Sequence, residues 1–355
     1  MGDFGTLFPL AIGYFAVNGM NPTGLLVMMG LANIITGVIY HLPMPIEPKK
    51  VLAVVAITEK WSPSLIYATG FGTGIVWLIL SLTGLIQKVA AVTPRSVVRG
   101  IQVALGVMLA IEGFKMVATG WIVGVISIVI VIVLRENRYA PAAIVLMVLG
   151  IGIVGFRGEL VQAIDLGFNL PPITLFRPVE IWEGMVLAGF AQIALTATNA
   201  VIATSALISQ YFPDKPVPVK KLALNMGIMN VIVPLFGGMP MCHGAGGLAG
   251  QYYFGARTGG TNIIEGIIEI SLGLFLAGSI ATLFALFPRS IIGAMLLLVG
   301  VQLTGFVRDI RRNELIIMAL TAGVSLATNM AIGFVVAVIL YHSLRKLKVA
   351  AKYVA

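Results

Sequence analysis

Charged residues and cysteine are scarce in this sequence. Asp, Glu, Lys and Arg make up 10% of the 355 residues, whereas hydrophobic residues make up 59%. The chain therefore has too little polar side-chain surface to coat a water-soluble globule. The single cysteine, Cys242, excludes an internal disulfide and a cysteine metal cluster. The three histidines form no HExxH pattern, so we expect no metal site and no cofactor.

Motifs for ATP-driven transport and for catalysis are also absent. No GxxxxGKS or GxxxxGKT run occurs, which argues against ATP-driven transport by this chain alone. Neither a GxSG motif nor a pair of intramembrane aspartates is present, so an intramembrane enzyme is a weak alternative. We expect a protein that is not an enzyme.

Long apolar runs dominate what is present. They extend over roughly 15 to 25 residues with almost no charge, which is the length that crosses a bilayer. The sequence predicts an all-α polytopic membrane protein in contact with the lipid bilayer. Spans are predicted near residues 5–18, 22–41, 63–87, 96–117, 119–134, 139–156, 184–211, 218–236, 261–279, 280–303, 313–328 and 329–345, with half-helices near 46–58 and 242–254.

Two landmarks recur in the same order in the two halves of the chain. A Met-Pro break interrupts an apolar helix at Met44-Pro45 and again at Met239-Pro240. A Pro-Arg-Ser corner follows at Pro94 and again at Pro288. About seven spans per half place the copies in opposite orientations, the inverted repeat of many secondary transporters. The predicted organisation is a first repeat at 1–156, a linker at 157–183, a second repeat at 184–345 and a short basic tail at 346–355, with no C-terminal regulatory domain.

The formal charge of +9 predicts a membrane orientation. Most Lys and Arg residues, Arg99 among them, fall in loops on one side of the predicted membrane, as the positive-inside rule expects of cytoplasmic loops. We therefore expect a multi-pass protein of the cytoplasmic membrane with both termini cytoplasmic. A nucleic-acid partner is not needed to explain the charge.

The two interrupted helices predict an anion site. Broken backbone survives inside a membrane only where it is buried in protein or lines a cavity. Each half-helix N-terminus has free N–H donors and about half a unit of positive charge, and two such ends facing each other near the midplane would bind an anion. The predicted substrate-binding residues of the half-helices are Glu47, Lys49, Lys50, Cys242, His243, Gly244, Ala245, Gly246 and Gly247.

Several of these side chains have two interpretations. Lys49 and Lys50 either compensate a dianion or extend to the membrane interface without touching a ligand. Glu47 is either a proton-coupling group or one half of a structural pair with a neighbouring lysine. His243 either donates to an oxyanion and takes up a proton, or is a buried histidine satisfied by a carbonyl. Glu47 and His243 are the coupling candidates.

Polar side chains follow one face of the helix that opens the second half. Gln192, Thr196 and Asn199 are spaced by four and three residues, which places them together. They either complete a hydrogen-bonding wall around an oxyanion or join helices. Thr6, near the start of the first span, is the predicted counterpart from the first half.

Five blocks spread over both halves carry a family resemblance. They are Gly2 to Thr6, Gly30 to Gly37, Pro43 to Lys50, Cys242 to Tyr252 and Phe254 to Arg257. With these blocks the sequence resembles the molybdate transporter family, a branch of the sulfate-permease-like superfamily, over essentially the whole chain.

The resemblance implies two inverted seven-span repeats, a core and a gate domain, a substrate held between the third and tenth helices, and molybdate as that substrate. This chain departs from the family in two places. The family usually has glutamine and methionine where this chain has Glu47 and Lys49, and arginine where it has Tyr253. The first of these departures lies at the presumed site.

The sequence thus predicts a secondary active transporter for molybdate, with tungstate as a second substrate and a proton as the first candidate for coupling. Within the same fold, sulfate or a nucleobase is the alternative substrate. Against a nucleobase, Gln192 stands where a nucleobase site normally has a carboxylate. An anion channel of the same fold is a further alternative, because only turnover measurements separate a channel from a carrier. A homodimer is expected by analogy with the superfamily.

Overall fold

The computed structural model describes residues 4–134, 141–305, 310–311 and 314–354, with side chains for 7–134, 141–305, 310–311 and 314–346. The predicted side-chain role of Thr6 lies outside these residues. Helices dominate the described chain, and a single pair of two-residue strands is found within it. The all-α prediction is confirmed.

The first half contains eight helices within the described residues. One short strand, β1 (Glu47–Pro48), precedes the third of them. The helices are α1 (Phe4–Ala16), α2 (Pro22–Tyr40), α3 (Lys50–Thr58), α4 (Pro63–Thr83), α5 (Ile86–Val92), α6 (Arg95–Val117), α7 (Trp121–Leu134) and α8 (Ala142–Phe156).

The second half repeats this order. A long helix over Pro178–Tyr211 comprises α9 (Pro178–Gly184), α10 (Phe190–Thr196) and α11 (Ala203–Tyr211), joined by π-helical turns at Met185–Gly189 and Ala197–Ile202. The strand β2 (Met241–Cys242) again precedes a half-helix. The other helices are α12 (Val219–Ile232), α13 (Ala245–Tyr253), α14 (Gly260–Phe275), α15 (Ala277–Leu286), α16 (Arg289–Gly305), α17 (Leu315–Ala327) and α18 (Met330–Val354).

Helices of the first half pack against helices of the second half. The helix α2 packs on α14, as its counterpart α12 packs on α4, and α6 packs on its own counterpart α16. The α2–α14 contact is close because Gly30 and Gly266 face each other, and a Cβ on Gly30 would lie 2.6 Å from the carbonyl oxygen of Gly266. The fold is that of two inverted repeats, with a core group (α1–α4 and α9–α14) and a gate group (α6–α8 and α16–α18).

Several helices have the length and composition of membrane spans. Within the described residues five continuous helices qualify, two of which combine α6 with α7 and α9 with α10 and α11. The helices α14 and α15 form a sixth span if the pair, bent by 82°, counts as one. Shorter apolar helices complete the repeats. Large apolar side chains such as Ile122, Val129 and Ile132 on α7 are about half exposed or more, as expected of a surface that faces lipid. The protein is a multi-pass membrane protein.

The structure shifts several predicted boundaries. The helix predicted at 63–87 ends at Thr83, because Gly84 adopts a left-handed φ of 71° that terminates it. The half-helices begin at Lys50 and Ala245, later than predicted, because Lys49 and Gly244 have extended backbone. The helix that opens the second half begins at Pro178, inside the predicted linker, where Glu180 accepts a hydrogen bond from the backbone N–H of Arg177 at 2.7 Å.

Candidate functional site

The two half-helices meet at the centre of the core group. The strands β1 and β2 pair antiparallel with Glu47 opposite Cys242, and the backbone N–H of Lys49 donates to the carbonyl of Pro240 at 2.9 Å. Proline at positions 45 and 48 keeps this stretch from forming helix. The break therefore satisfies its backbone across the repeats, and each half-helix starts beside the other.

A cavity of about 220 Å³ lies at these two helix starts. Three structural units contribute to its wall: the half-helix segments, the long helix of the second half, and the gate helix α6. The lining residues are Glu47, Lys50, Cys242, Gly244, Ala245 and Gly246 from the first unit, Gln192, Leu195, Thr196, Asn199, Ala200 and Ala203 from the second, and Arg99 and Gln102 from the third.

Glu47 and Lys50 form an ion pair in this wall. Their charged atoms are 3.2 Å apart, with the Glu47 side chain 2% and the Lys50 side chain 28% exposed. The backbone of Gly244 lies against the Glu47 carboxylate, and a Cβ at that position would collide with both carboxylate oxygens. Glycine is therefore required at 244 for the carboxylate to reach its place.

Gln192 caps the first half-helix. Its side-chain oxygen accepts hydrogen bonds from the backbone N–H groups of Val51 at 2.7 Å and Leu52 at 3.2 Å, and its amide nitrogen donates to Thr196 Oγ1 at 2.6 Å. Lys49, the residue at the cap position, makes no side-chain cap. Gln192 thus supplies from another helix the acceptor that α3 lacks, and it also lines the cavity.

The cap residue of the second half-helix offers no side chain. Gly244 precedes α13, and no side-chain cap hydrogen bond is formed at that position. The first intrahelical bond is donated by Leu248 to Gly244. A Cβ on Gly246 would meet no atom within 4 Å, so the first turn of α13 opens onto the cavity. The N–H groups of this turn are the donor set best placed for an anion.

Three predicted site residues face elsewhere. Lys49 is fully buried and its ammonium donates to Thr73 Oγ1 on α4 at 2.6 Å. His243 is fully buried, with Nδ1 3.2 Å from the carbonyl oxygen of Pro45 and Nε2 3.0 Å from Asn225 Oδ1. Gly247 is buried in the first turn of α13. None of the three contributes to the cavity wall.

Sequence reasoning missed Arg99 as a site residue. It was grouped with the basic residues of cytoplasmic loops, but it lies within α6 and lines the cavity. Its guanidinium donates to Gln102 Oε1 at 2.7 Å, so two polar side chains three positions apart occupy one face of a gate helix. A charged residue inside the predicted 96–117 span was the signal that could have identified it.

Comparison with known sequences places the chain near molybdate transporters. The family described as "Molybdate transporter of MFS superfamily" matches residues 1–109 and 184–303. Molybdate transporter 1 of Arabidopsis thaliana is 30% identical over 392 residues, covering 96% of this chain and 86% of the relative. Molybdate transporter 2 of the same plant is 31% identical over 400 residues, covering 97% and 86%.

Solved structures share the fold. The transmembrane domain of the cyanobacterial bicarbonate transporter BicA aligns with a TM-score of 0.69 at 18% identity, covering 95% of this chain and 96% of that chain. The murine anion transporter Slc26a9 in its inward-facing state aligns with a TM-score of 0.71 at 12% identity, covering 98% and 67%. At these identities the likeness concerns the core and gate architecture alone.

Proposed function

Because the chain belongs to the molybdate transporter family, we propose that it is a secondary active transporter that carries molybdate, and tungstate with it, inward across the cytoplasmic membrane. The chain is a transporter rather than an enzyme. The observation that carries the choice of a divalent oxyanion is the electrostatics of the cavity at the two half-helix starts.

The net positive charge around the cavity is about equal in magnitude to the negative charge of a dianion. Lys50 and Arg99 each contribute one positive charge and Glu47 one negative charge, a formal sum of +1 for the described lining. The starts of α3 and α13 add about half a unit each, which brings the total to about +2. Each water in the liquid takes about 30 Å³, so 220 Å³ holds a tetrahedral oxyanion with a few waters.

The anion is bound by the open first turn of α13 and the side chains around it. The N–H groups of Ala245 and Gly246 donate to its oxygens, Lys50 and Arg99 balance its charge, and Thr196 supplies a neutral wall. Cys242, Gly244 and Gln192 complete the cavity surface. Lys49 and His243 lie outside the cavity wall, and both are hydrogen-bonded within the core group.

We infer alternating access, and the position of Arg99 supports it. The half-helices belong to the core group and Arg99 to the gate group, so the cavity lies between two bodies. Rocking of the core against the gate would move the α13 start relative to Arg99, which would close the site on one side and open it on the other. The proposal has three further parts. Both termini lie in the cytoplasm, as the distribution of basic residues favours. A proton is the coupling ion, and the working unit is a homodimer.

Two measurements test this function. Thermal unfolding of the detergent-purified protein is followed with molybdate, tungstate, sulfate, phosphate and uracil at equal ionic strength, because a ligand at a hundred times its Kd stabilises by about 2.7 kcal/mol. Stabilisation by molybdate and tungstate alone supports the proposal, whereas stabilisation by sulfate or uracil alone contradicts it. Molybdate counterflow in proteoliposomes then separates a carrier, which saturates and exchanges, from a channel.

A further inference from the structure

A buried carboxylate lies in the core group, in α14. Glu269 is 7% exposed, and its Oε2 accepts a hydrogen bond from Asn33 Nδ2 on α2 at 2.9 Å. An ionisable side chain inside a membrane-spanning helix is expensive and commonly functional. Glu269 is outside the cavity wall, so anion binding does not account for it.

Hydrogen bonds connect Glu269 to the backbone before the first half-helix. Asn33 Oδ1 accepts from Asn262 Nδ2 at 2.9 Å. Asn262 forms two hydrogen bonds with the backbone of Met44. Its Oδ1 accepts from the Met44 N–H at 2.9 Å, and its Nδ2 donates to the Met44 carbonyl. Asn33 and Asn262 are 1% and 0% exposed. This series of hydrogen bonds ends at Met44, three residues before Glu47 in the cavity wall.

We propose that Glu269 is a proton-binding site of the transport cycle, and that Asn33 and Asn262 transmit its charge state to the segment that carries Glu47. This inference rests on the proposed function for its substrate, but the carboxylate and its hydrogen bonds are independent of the anion cavity. It assigns coupling to α14 rather than to Glu47, which is paired with Lys50 at 3.2 Å, or to His243, which contacts Pro45 and Asn225.

The ligand is a proton because the side-chain atom that contacts the Glu269 carboxylate is a donor nitrogen, Asn33 Nδ2, and not a second oxygen. Asn33 Oδ1 and Asn262 Oδ1 each accept a hydrogen bond, and no group of three or more His, Cys, Asp or Glu able to hold a metal ion is found among the described residues. A cation such as Na⁺ needs several free oxygens, as other hard cations do. A single carboxylate with one amide donor suffices for a proton.

The charges around Glu269 are few. Glu265 lies one turn earlier on the same helix and is partly exposed. The packed helices α2 and α15 carry no charged residue, and Tyr40 at the end of α2 is their titratable group. In the connection between the repeats, Asp165 lies against Gly278 of α15.

The polarity of the hydrogen bonds explains the transmission. An ionised Glu269 fixes the Asn33 amide with its nitrogen toward the carboxylate, so its oxygen faces Asn262, and the same order continues to Met44. A hydrogen bond to an ionised group is roughly twice as strong as a neutral one. Protonation removes that preference, which loosens Asn33 and Asn262 and frees the segment before Glu47 to shift.

The experiment is accumulation of molybdate in proteoliposomes under a pH gradient, acidic outside, with Glu269→Gln as the variant. Glutamine keeps an oxygen for the Asn33 donor but binds no proton. One pH unit corresponds to about 1.36 kcal/mol, so the wild type should concentrate molybdate about tenfold per coupled proton. Glu269→Gln should still exchange molybdate by counterflow. Under the pH gradient, however, its internal molybdate concentration should not rise above the external one. Glu112→Gln, in which the glutamate 3.4 Å from Lys115 on α6 is replaced, is the matched control and should accumulate like the wild type.

Three outcomes overturn the inference: gradient-driven accumulation by Glu269→Gln, loss of accumulation by Glu112→Gln as well, or wild-type accumulation that follows a sodium gradient instead.

A second readout needs no substrate. The pH-difference infrared spectrum of the purified wild type should contain a protonated carboxyl band that Glu269→Gln lacks, and a band that persists in the variant also contradicts the assignment. Absence of molybdate counterflow in the wild type would refute the proposed function and leave this spectral test standing.

Discussion

Replacing Gln192 with glutamate separates two roles of one side chain. A carboxylate at this place still accepts from the N–H groups of Val51 and Leu52, and a negative charge is favourable at a helix start. It also adds one negative charge to the anion cavity. At an effective dielectric constant of about 20 and a separation of about 6 Å, a dianion would be repelled by about 5.5 kcal/mol. If water screens half of this, molybdate affinity still falls about a hundredfold.

The assay pairs thermal unfolding with titration of molybdate into the detergent-purified protein. Gln192→Ala is the control, because it leaves two buried N–H donors without their acceptor, at a cost of about 1–3 kcal/mol each. Gln192→Glu should therefore keep its unfolding temperature and lose affinity, whereas Gln192→Ala should lose stability. Wild-type affinity in Gln192→Glu would refute the location of the anion, and equal destabilisation of both variants would refute the capping role.

Three further predictions follow from the cavity wall. Lys50→Met should lower molybdate affinity about 10- to 100-fold, since bonds to charged groups contribute about 1.5–3 kcal/mol, whereas Lys49→Met, which changes a side chain outside the cavity, should leave titrated affinity unchanged. Arg99→Gln should raise the counterflow KM about tenfold or more for the same reason, and an unchanged KM would remove the gate side from the site. Gly244→Ala should lower the free energy of unfolding by about 1–3 kcal/mol through its collision, while Gly246→Ala should keep stability in denaturation and weaken anion binding, because its methyl group enters open space.

The architecture was largely predictable because it depends on local signals. Apolar runs, the Met-Pro breaks and the repeated corners at Pro94 and Pro288 identify the repeats, and proline excludes helix wherever it falls. The predicted boundaries failed at helix ends, where a single backbone angle decides the outcome. Gly84 is one such case, since its left-handed φ of 71° ends α4 four residues before the predicted boundary.

The direction of individual side chains was not predictable, because it depends on where the half-helix begins. Lys49 and Lys50 are adjacent and equally basic, but α3 starts between them. Lys49 has the extended backbone of a cap residue and is bonded to Thr73, whereas Lys50 is the first helical residue and lines the cavity. Gln192 illustrates the other limit, since its contact with Val51 joins residues 141 positions apart.

The two half-helices are built alike but are not equally available to an anion. The first turn of α3 is capped from outside by Gln192, which takes its N–H groups. The first turn of α13 follows a glycine cap residue, Gly244, that forms no side-chain cap hydrogen bond, and a Cβ on Gly246 would meet no atom within 4 Å. A symmetric fold thus holds an asymmetric site, in which α13 supplies direct donors, β1 supplies Glu47 and the start of α3 supplies Lys50. Substitutions that enlarge the first turn of α13 should therefore impair binding without disturbing α3, whereas Gln192→Ala should destabilise α3.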